Sequence, residues 1–155
     1  MKLSKLFILL ILTSACSSKK EQLRYKYFDE LNNYLIQHHS INILSEETLY
    51  LLTIPVGSCT PCVKESLMMA VEQVENKELK TILMADNKKI INEYNHLIKQ
   101  LNSQTTFYDI QGNRNDFETG IFSPTIFYFV KGRLIYYKEL TVSNIPYVKM
   151  DLKWK

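Results

Sequence analysis

Apolar residues fall in alternating short runs and helical stripes along this chain. Leu23, Tyr27, Leu31, Tyr34 and Leu35 recur at the spacing of one helix face, which predicts an amphipathic helix over 21–39. The run Leu49-Tyr50-Leu51-Leu52-Thr53-Ile54 is short and suited to a strand, and Pro55 and Gly57 end it. Val63, Leu67, Ala70, Val71 and Val74 then return to helical spacing. A strand is expected over 80–85, followed by a helix over 87–101 whose stripe is Ile90, Ile91, Tyr94, Leu97, Ile98 and Leu101, with Asp86 or Asn87 as its cap. Residues 105–110 read as another strand, stopped at Gln111-Gly112-Asn113, and 116–120 as a short irregular or helical piece. Strands over 125–130 and 133–139 flank Lys131-Gly132 as a hairpin. A last short helix spans 143–153, capped by Ser143 or Asn144, with Trp154 as a packing residue or a frayed end. Alternation of this kind predicts an α/β fold: parallel strands covered by helices and finished by an antiparallel hairpin.

The chemistry sits where the first of these strands meets its helix. Cys59-Thr60-Pro61-Cys62 places two thiols across one helical turn, and Pro61 suits a first turn because its missing N–H needs no partner there. Cys59 is expected at the helix start, where free N–H groups and the dipole favour a thiolate and make it the attacking sulfur. Cys62, one turn in, is the less exposed resolving thiol. A structural staple is the first alternative, yet closing a four-residue ring stabilises by only about 2 kcal/mol in the chain-entropy picture. Zinc is the second, but it wants paired ligand spacings, and His38, His39 and His96 have none to the cysteines; they read as surface residues, and no metal is expected. Redox use of the pair ranks ahead of both.

The N-terminus points to a compartment. Lys2 and Lys5 precede the apolar run Leu6-Phe7-Ile8-Leu9-Leu10-Ile11-Leu12, too short for an ordinary membrane span and read as an export signal over 1–15. Thr13-Ser14-Ala15-Cys16 resembles the lipobox of bacterial lipoproteins, although Leu12 lies one position further back than usual. That resemblance makes Cys16 the lipidated N-terminus, residues 16–22 a polar tether and 23–155 one domain. Ordinary cleavage near Ala15, leaving Cys16 as a spare thiol, is the competing reading. Cleavage would take Lys2 and Lys5 with it and lower the formal charge from +3 to +1, which leaves no electrostatic footprint for nucleic acid.

Two separated motifs carry a further resemblance. Ser58-Cys59-Thr60-Pro61-Cys62-Val63-Lys64-Glu65 is similar to the Trp-Cys-x-Pro-Cys-x-x-Glu pattern of the membrane-anchored TlpA/ResA-like thiol–disulfide oxidoreductases, and Ser123-Pro124-Thr125 followed by an apolar strand and Lys131-Gly132 is similar to their cis-Pro-Thr strand and hairpin. The resemblance covers about 47–139 and implies a thioredoxin-like three-layer fold with an extra helix and strand inserted before the cis-Pro loop. It also implies dithiol exchange through Cys59 and Cys62 without a cofactor, and substrate binding at Ser123, Pro124 and Thr125 beside a cis bond. Ser58 stands where relatives carry Trp, an aromatic surface that helps seat their partners. Thr53 stands where thioredoxin has a buried acid, so Glu65 is a candidate to move the proton of Cys62; an exposed Glu65 paired with Lys64 or another neighbour is the alternative. Spacing does not give the direction; Pro61 beside Cys62 is similar to reducing members of the family, and no His lies between the cysteines as in strong oxidants, so the resemblance implies a reductase. The implied partners are exported proteins with disulfides and a transmembrane electron donor, met by a lipid-anchored monomer in the bacterial cell envelope, facing the periplasm. Two other readings stay open: a tethered thioredoxin-like binding module with little turnover, and, more weakly, a peroxidase.

Overall fold

Every apolar run read as a strand becomes one, and the computed structural model, which describes residues 23–154, joins them in a single mixed sheet. Strands β1 (Thr48–Pro55), β2 (Leu79–Met84), β3 (Thr106–Asp109), β4 (Thr125–Val130) and β5 (Arg133–Glu139) lie in the order β3-β2-β1-β4-β5. The β1–β2 and β2–β3 pairs are parallel, and β1–β4 and β4–β5 are antiparallel. Strand β1 is therefore central, which explains its almost continuous apolar run: Leu49 and Leu51 face one core, and Leu52 and Ile54 the other. Helix α1 (Phe28–His39) covers the first face with Leu31, Tyr34 and Leu35. Helices α2 (Thr60–Glu72), α4 (Asn95–Ile98) and α5 (Ile145–Asp151) cover the second with Val63, Leu67, Leu97, Ile98, Ile145 and Val148; α3 (Lys88–Asn92) leads into α4. These three layers around a central strand are a thioredoxin-like α/β fold.

Three elements depart from the sequence expectation. The first helix begins at Phe28 instead of residue 21, because Tyr25 leaves helical register to pack edge-on against Phe127 and Tyr137 and to donate its hydroxyl to the Thr119 carbonyl at 2.6 Å. The expected helix over 87–101 is two short pieces. Weak helix formers Asn92 and Asn95 flank the break, and the Tyr94 and Leu97 amides bond three residues back, to Ile91 and Tyr94. The piece expected over 116–120 is instead a 3-10 turn at Asn113–Asp116. The hairpin forms as expected: Lys131 and Gly132 take φ of 49° and 70°, the positive values a two-residue primed turn needs. A bulge in β5 follows it, and Ile135 is left exposed. Trp154 packs edge-on against Tyr50 as expected, with ring centroids 5.2 Å apart. The predicted signal segment, Cys16 and the tether lie outside the described residues; among those described, no helix is long and apolar enough to cross a membrane.

His39 corrects another expectation, since it is buried and not a surface residue. Its Nε2 lies 3.0 Å from the Tyr34 hydroxyl, which donates to Asp109 Oδ2 at 3.0 Å. Asp109 in turn accepts the backbone amides of Asn113 and Arg114, so this buried network joins α1 to the end of β3 and seeds the 3-10 turn. Burial pushes the Tyr34 hydroxyl pKa up, with the Asp109 charge adding to the effect. Burial also holds His39 below its ordinary 6.5, the Asp109 charge opposing and His38 assisting. The unfolded chain thus takes up a proton near pH 6.5 that the folded chain resists. Stability from this site is complete above about pH 6.5 and declines as the pH falls below it. Urea unfolding at about pH 7.5 and about pH 5.5 should show that loss, and His39→Gln should flatten it.

Candidate functional site

The carboxyl ends of β1, β2 and β3 and the start of β4 meet at one edge of the sheet, and the cysteines stand there. The parallel ladder runs one residue past β1, the Val56 amide bonding the Met84 carbonyl at 2.7 Å. Gly57 then turns the chain with φ of 115°, a conformation that side chains other than glycine rarely adopt. The Ser58 amide and hydroxyl both bond the Pro55 carbonyl, at 3.2 and 2.7 Å, which closes the turn. Cys59 is the N-cap of α2, its carbonyl accepting the Val63 amide at 2.9 Å, and Pro61 lies in the first turn.

Cys59 and Cys62 are joined in a disulfide with Cα atoms 5.2 Å apart. Cys59 is exposed, whereas Cys62 retains 8% exposure. No acidic residue occupies the first turn of α2, so the positive end of its dipole reaches Cys59 uncompensated.

The other candidates divide. Glu65, one turn after Cys62, is half-buried and makes no ion pair with a described residue, so the Lys64 pairing does not form. Thr53 is fully buried and its hydroxyl donates to the Thr125 carbonyl at 3.2 Å, which commits it to the sheet. Ser123, Pro124 and Thr125 do reach the cysteine edge, since Thr125 opposes Thr53 in the register. Their conformation differs from the expectation: no peptide bond among the described residues is cis, so Ser123–Pro124 is trans. The reason lies in the strand start. Pro124 takes the ordinary first position before β4, its carbonyl accepts the Leu140 amide at 2.6 Å, and the Thr125 hydroxyl turns back to the Ser123 carbonyl at 2.9 Å. Ser123 donates its own hydroxyl to Glu139 at 2.9 Å. The Ser123 carbonyl and the hydroxyls of Ser123 and Thr125 are thereby engaged within the protein.

Two residues of this region escaped the sequence reading. Phe122, immediately before Ser123, is 83% exposed and helps line a surface cavity of about 400 Å³ with Tyr27, Arg114, Phe117, Thr119 and Ile121; neither cysteine lines it. An aromatic residue two positions before Pro124 was the available signal. Ser66 is fully buried in α2 with no hydrogen-bond partner for its hydroxyl, which no pattern in the sequence shows. Among the described residues, no group of three or more His, Cys, Asp or Glu side chains is placed to hold a metal.

No family model matches the chain, and no curated protein matches its sequence. Solved structures do resemble it at low identity. A peroxiredoxin-like protein from Aquifex aeolicus superposes with a TM-score of 0.41 and 12% identity, over 69% of this chain and 73% of that one. A thioredoxin-like protein from Bacteroides caccae gives a TM-score of 0.39 and 16% identity, over 68% of this chain and 40% of its own length.

Proposed function

We propose that this protein is a thiol–disulfide oxidoreductase that reduces disulfides of exported proteins by dithiol exchange. The observation that carries the reading is the pairing of an exposed Cys59, at the N-terminus of α2, with a buried Cys62 in one disulfide. In the reduced protein, the Cys59 thiolate attacks a substrate disulfide, forming a mixed disulfide and expelling one substrate thiolate. Cys62 then gives up its proton and attacks Cys59, which restores the Cys59–Cys62 bond and releases the second substrate sulfur. Two electrons and two protons from a donor dithiol reopen the bond. Glu65, a turn away, is the candidate to take the Cys62 proton. The anchor at Cys16, the envelope location facing the periplasm and a membrane electron donor belong to the same proposal and rest on the sequence resemblance.

Substrate contact falls to Phe122 in this reading. Ser58 has no aromatic surface and its hydroxyl is turned inward to Pro55, while Phe122 presents a bare ring on the segment that enters the cysteine edge. Covering that ring with a protein substrate is worth about tenfold in affinity. Phe122→Ala should therefore raise KM for insulin reduction about tenfold and leave the reduction of a small aliphatic disulfide unchanged.

The inward turn of Ser58 also favours a second reading, in which the domain holds a partner and scarcely turns over. Insulin reduction with dithiothreitol as electron donor separates the two. Repeated turnover supports the oxidoreductase, and a stable one-to-one adduct on Cys59 supports the binding module.

A further inference from the structure

We propose that Ser66 is a positioning residue for Cys62, donating a hydrogen bond to its sulfur only after the disulfide opens, and so favouring the reduced form. This rests on the dithiol-exchange reading above. Ser66 lies four residues after Cys62 in α2, on the same helix face, and its Cα–Cβ bond tilts toward the N-terminus, in the direction of Cys62. It is 0% exposed, and its hydroxyl has no partner while the disulfide is closed. The usual outlet for a serine inside a helix, the carbonyl four residues back, would be that of Cys62, and it is not used.

A buried hydroxyl without a partner destabilises a fold, and serine is a poorer interior helix former than alanine. Structure alone would be better served by alanine here. What the site lacks is an acceptor, and reduction supplies one. In the oxidised protein the Cys62 sulfur is bonded to Cys59, at the very start of the helix. Breaking that bond with two electrons and two protons from a donor dithiol, itself oxidised to a disulfide, frees the Cys62 side chain to rotate toward the following turn. The freed sulfur remains in a buried place, where Thr53 is already committed to Thr125. Ser66 is then the donor one turn away. Hydrogen bonding to the thiolate makes Cys62 easier to deprotonate for the resolving attack and lowers the free energy of the reduced state relative to the disulfide.

Wild-type protein and Ser66→Ala, equilibrated in graded dithiothreitol redox buffers and trapped by alkylation, test this. The expected result is a shift of the equilibrium toward the disulfide by about tenfold, equivalent to a potential about 30 mV more negative. Urea unfolding of both redox forms should agree, with the oxidised variant at least as stable as wild type and the reduced variant less stable. An unmoved equilibrium, with equal stability changes in the two forms, would show that Ser66 only fills space. The two readings fail separately: a wild-type protein without a reversible couple defeats the exchange reading, whereas a reversible couple that Ser66→Ala leaves in place defeats this proposal alone.

Discussion

Cys59→Ser should lower disulfide turnover by at least about a thousandfold, because the hydroxyl left at the N-cap of α2 is not ionised at neutral pH and cannot form the mixed disulfide. Cys62→Ser should act differently. Its Cys59 still attacks, but nothing resolves the intermediate, so a covalent one-to-one adduct with substrate accumulates and turnover stops after one event. Mass spectrometry under non-reducing conditions distinguishes the two variants directly. Both should stay folded, since losing a four-residue ring costs about 2 kcal/mol in the chain-entropy picture. An adduct on Cys59→Ser through Cys62, with none on Cys62→Ser, would reverse the assignment of attacking and resolving sulfurs that their exposures support.

The largest loss of stability is expected from Phe127→Ala. Phe127 has no exposure, sits opposite Leu51 on the central strand β1, and packs with Tyr25, Phe129 and Tyr137 at ring-centroid separations of 4.9, 6.1 and 5.9 Å. Removing the ring leaves a cavity in the α1-side core and unseats Tyr25, whose hydroxyl ties the segment before α1 to Thr119. Such a change costs about 3–5 kcal/mol, a large share of the about 5–15 kcal/mol that keeps a domain folded. Urea unfolding should show the midpoint falling accordingly, against a change within about 0.5 kcal/mol for the exposed Phe122→Ala. A loss under about 1 kcal/mol for Phe127→Ala would mean that this core is not organised around that ring.

Features written in local periodicity were legible, and features decided by long-range contacts were not. The strands announce themselves because β1 is buried on both faces and must be apolar throughout, and the Lys131-Gly132 turn because two adjacent positive φ values select such residues. Cys59 at a helix start follows from Pro55, Gly57 and Pro61 punctuating the chain in that order. Tyr25 looked helical because spacing cannot see Phe127, a hundred residues away, which claims its ring. His39 looked like a surface residue because its partners, Tyr34 and Asp109, are brought together only by the packing of α1 on the sheet. Motif likeness reached further than conformation: it placed Ser123, Pro124 and Thr125 at the cysteine edge but gave the Ser123–Pro124 bond the wrong isomer, since Leu140 and the Thr125 hydroxyl settle how that segment is held. Ser66 left no trace because an unpartnered hydroxyl is a fact of burial, set by the assembled fold; Phe122 left only its place two positions before Pro124, and its exposure is likewise decided by the fold.

The reduction potential of the Cys59–Cys62 couple, measured on the wild-type protein by redox-buffer titration and alkylation, bears most directly on the account. A single reversible two-electron transition nearer the about −270 mV of a thioredoxin than the about −120 mV of a strong oxidant is the predicted result. A potential close to about −120 mV would contradict the reducing role, and a disulfide that opens only when the protein unfolds would contradict dithiol exchange altogether.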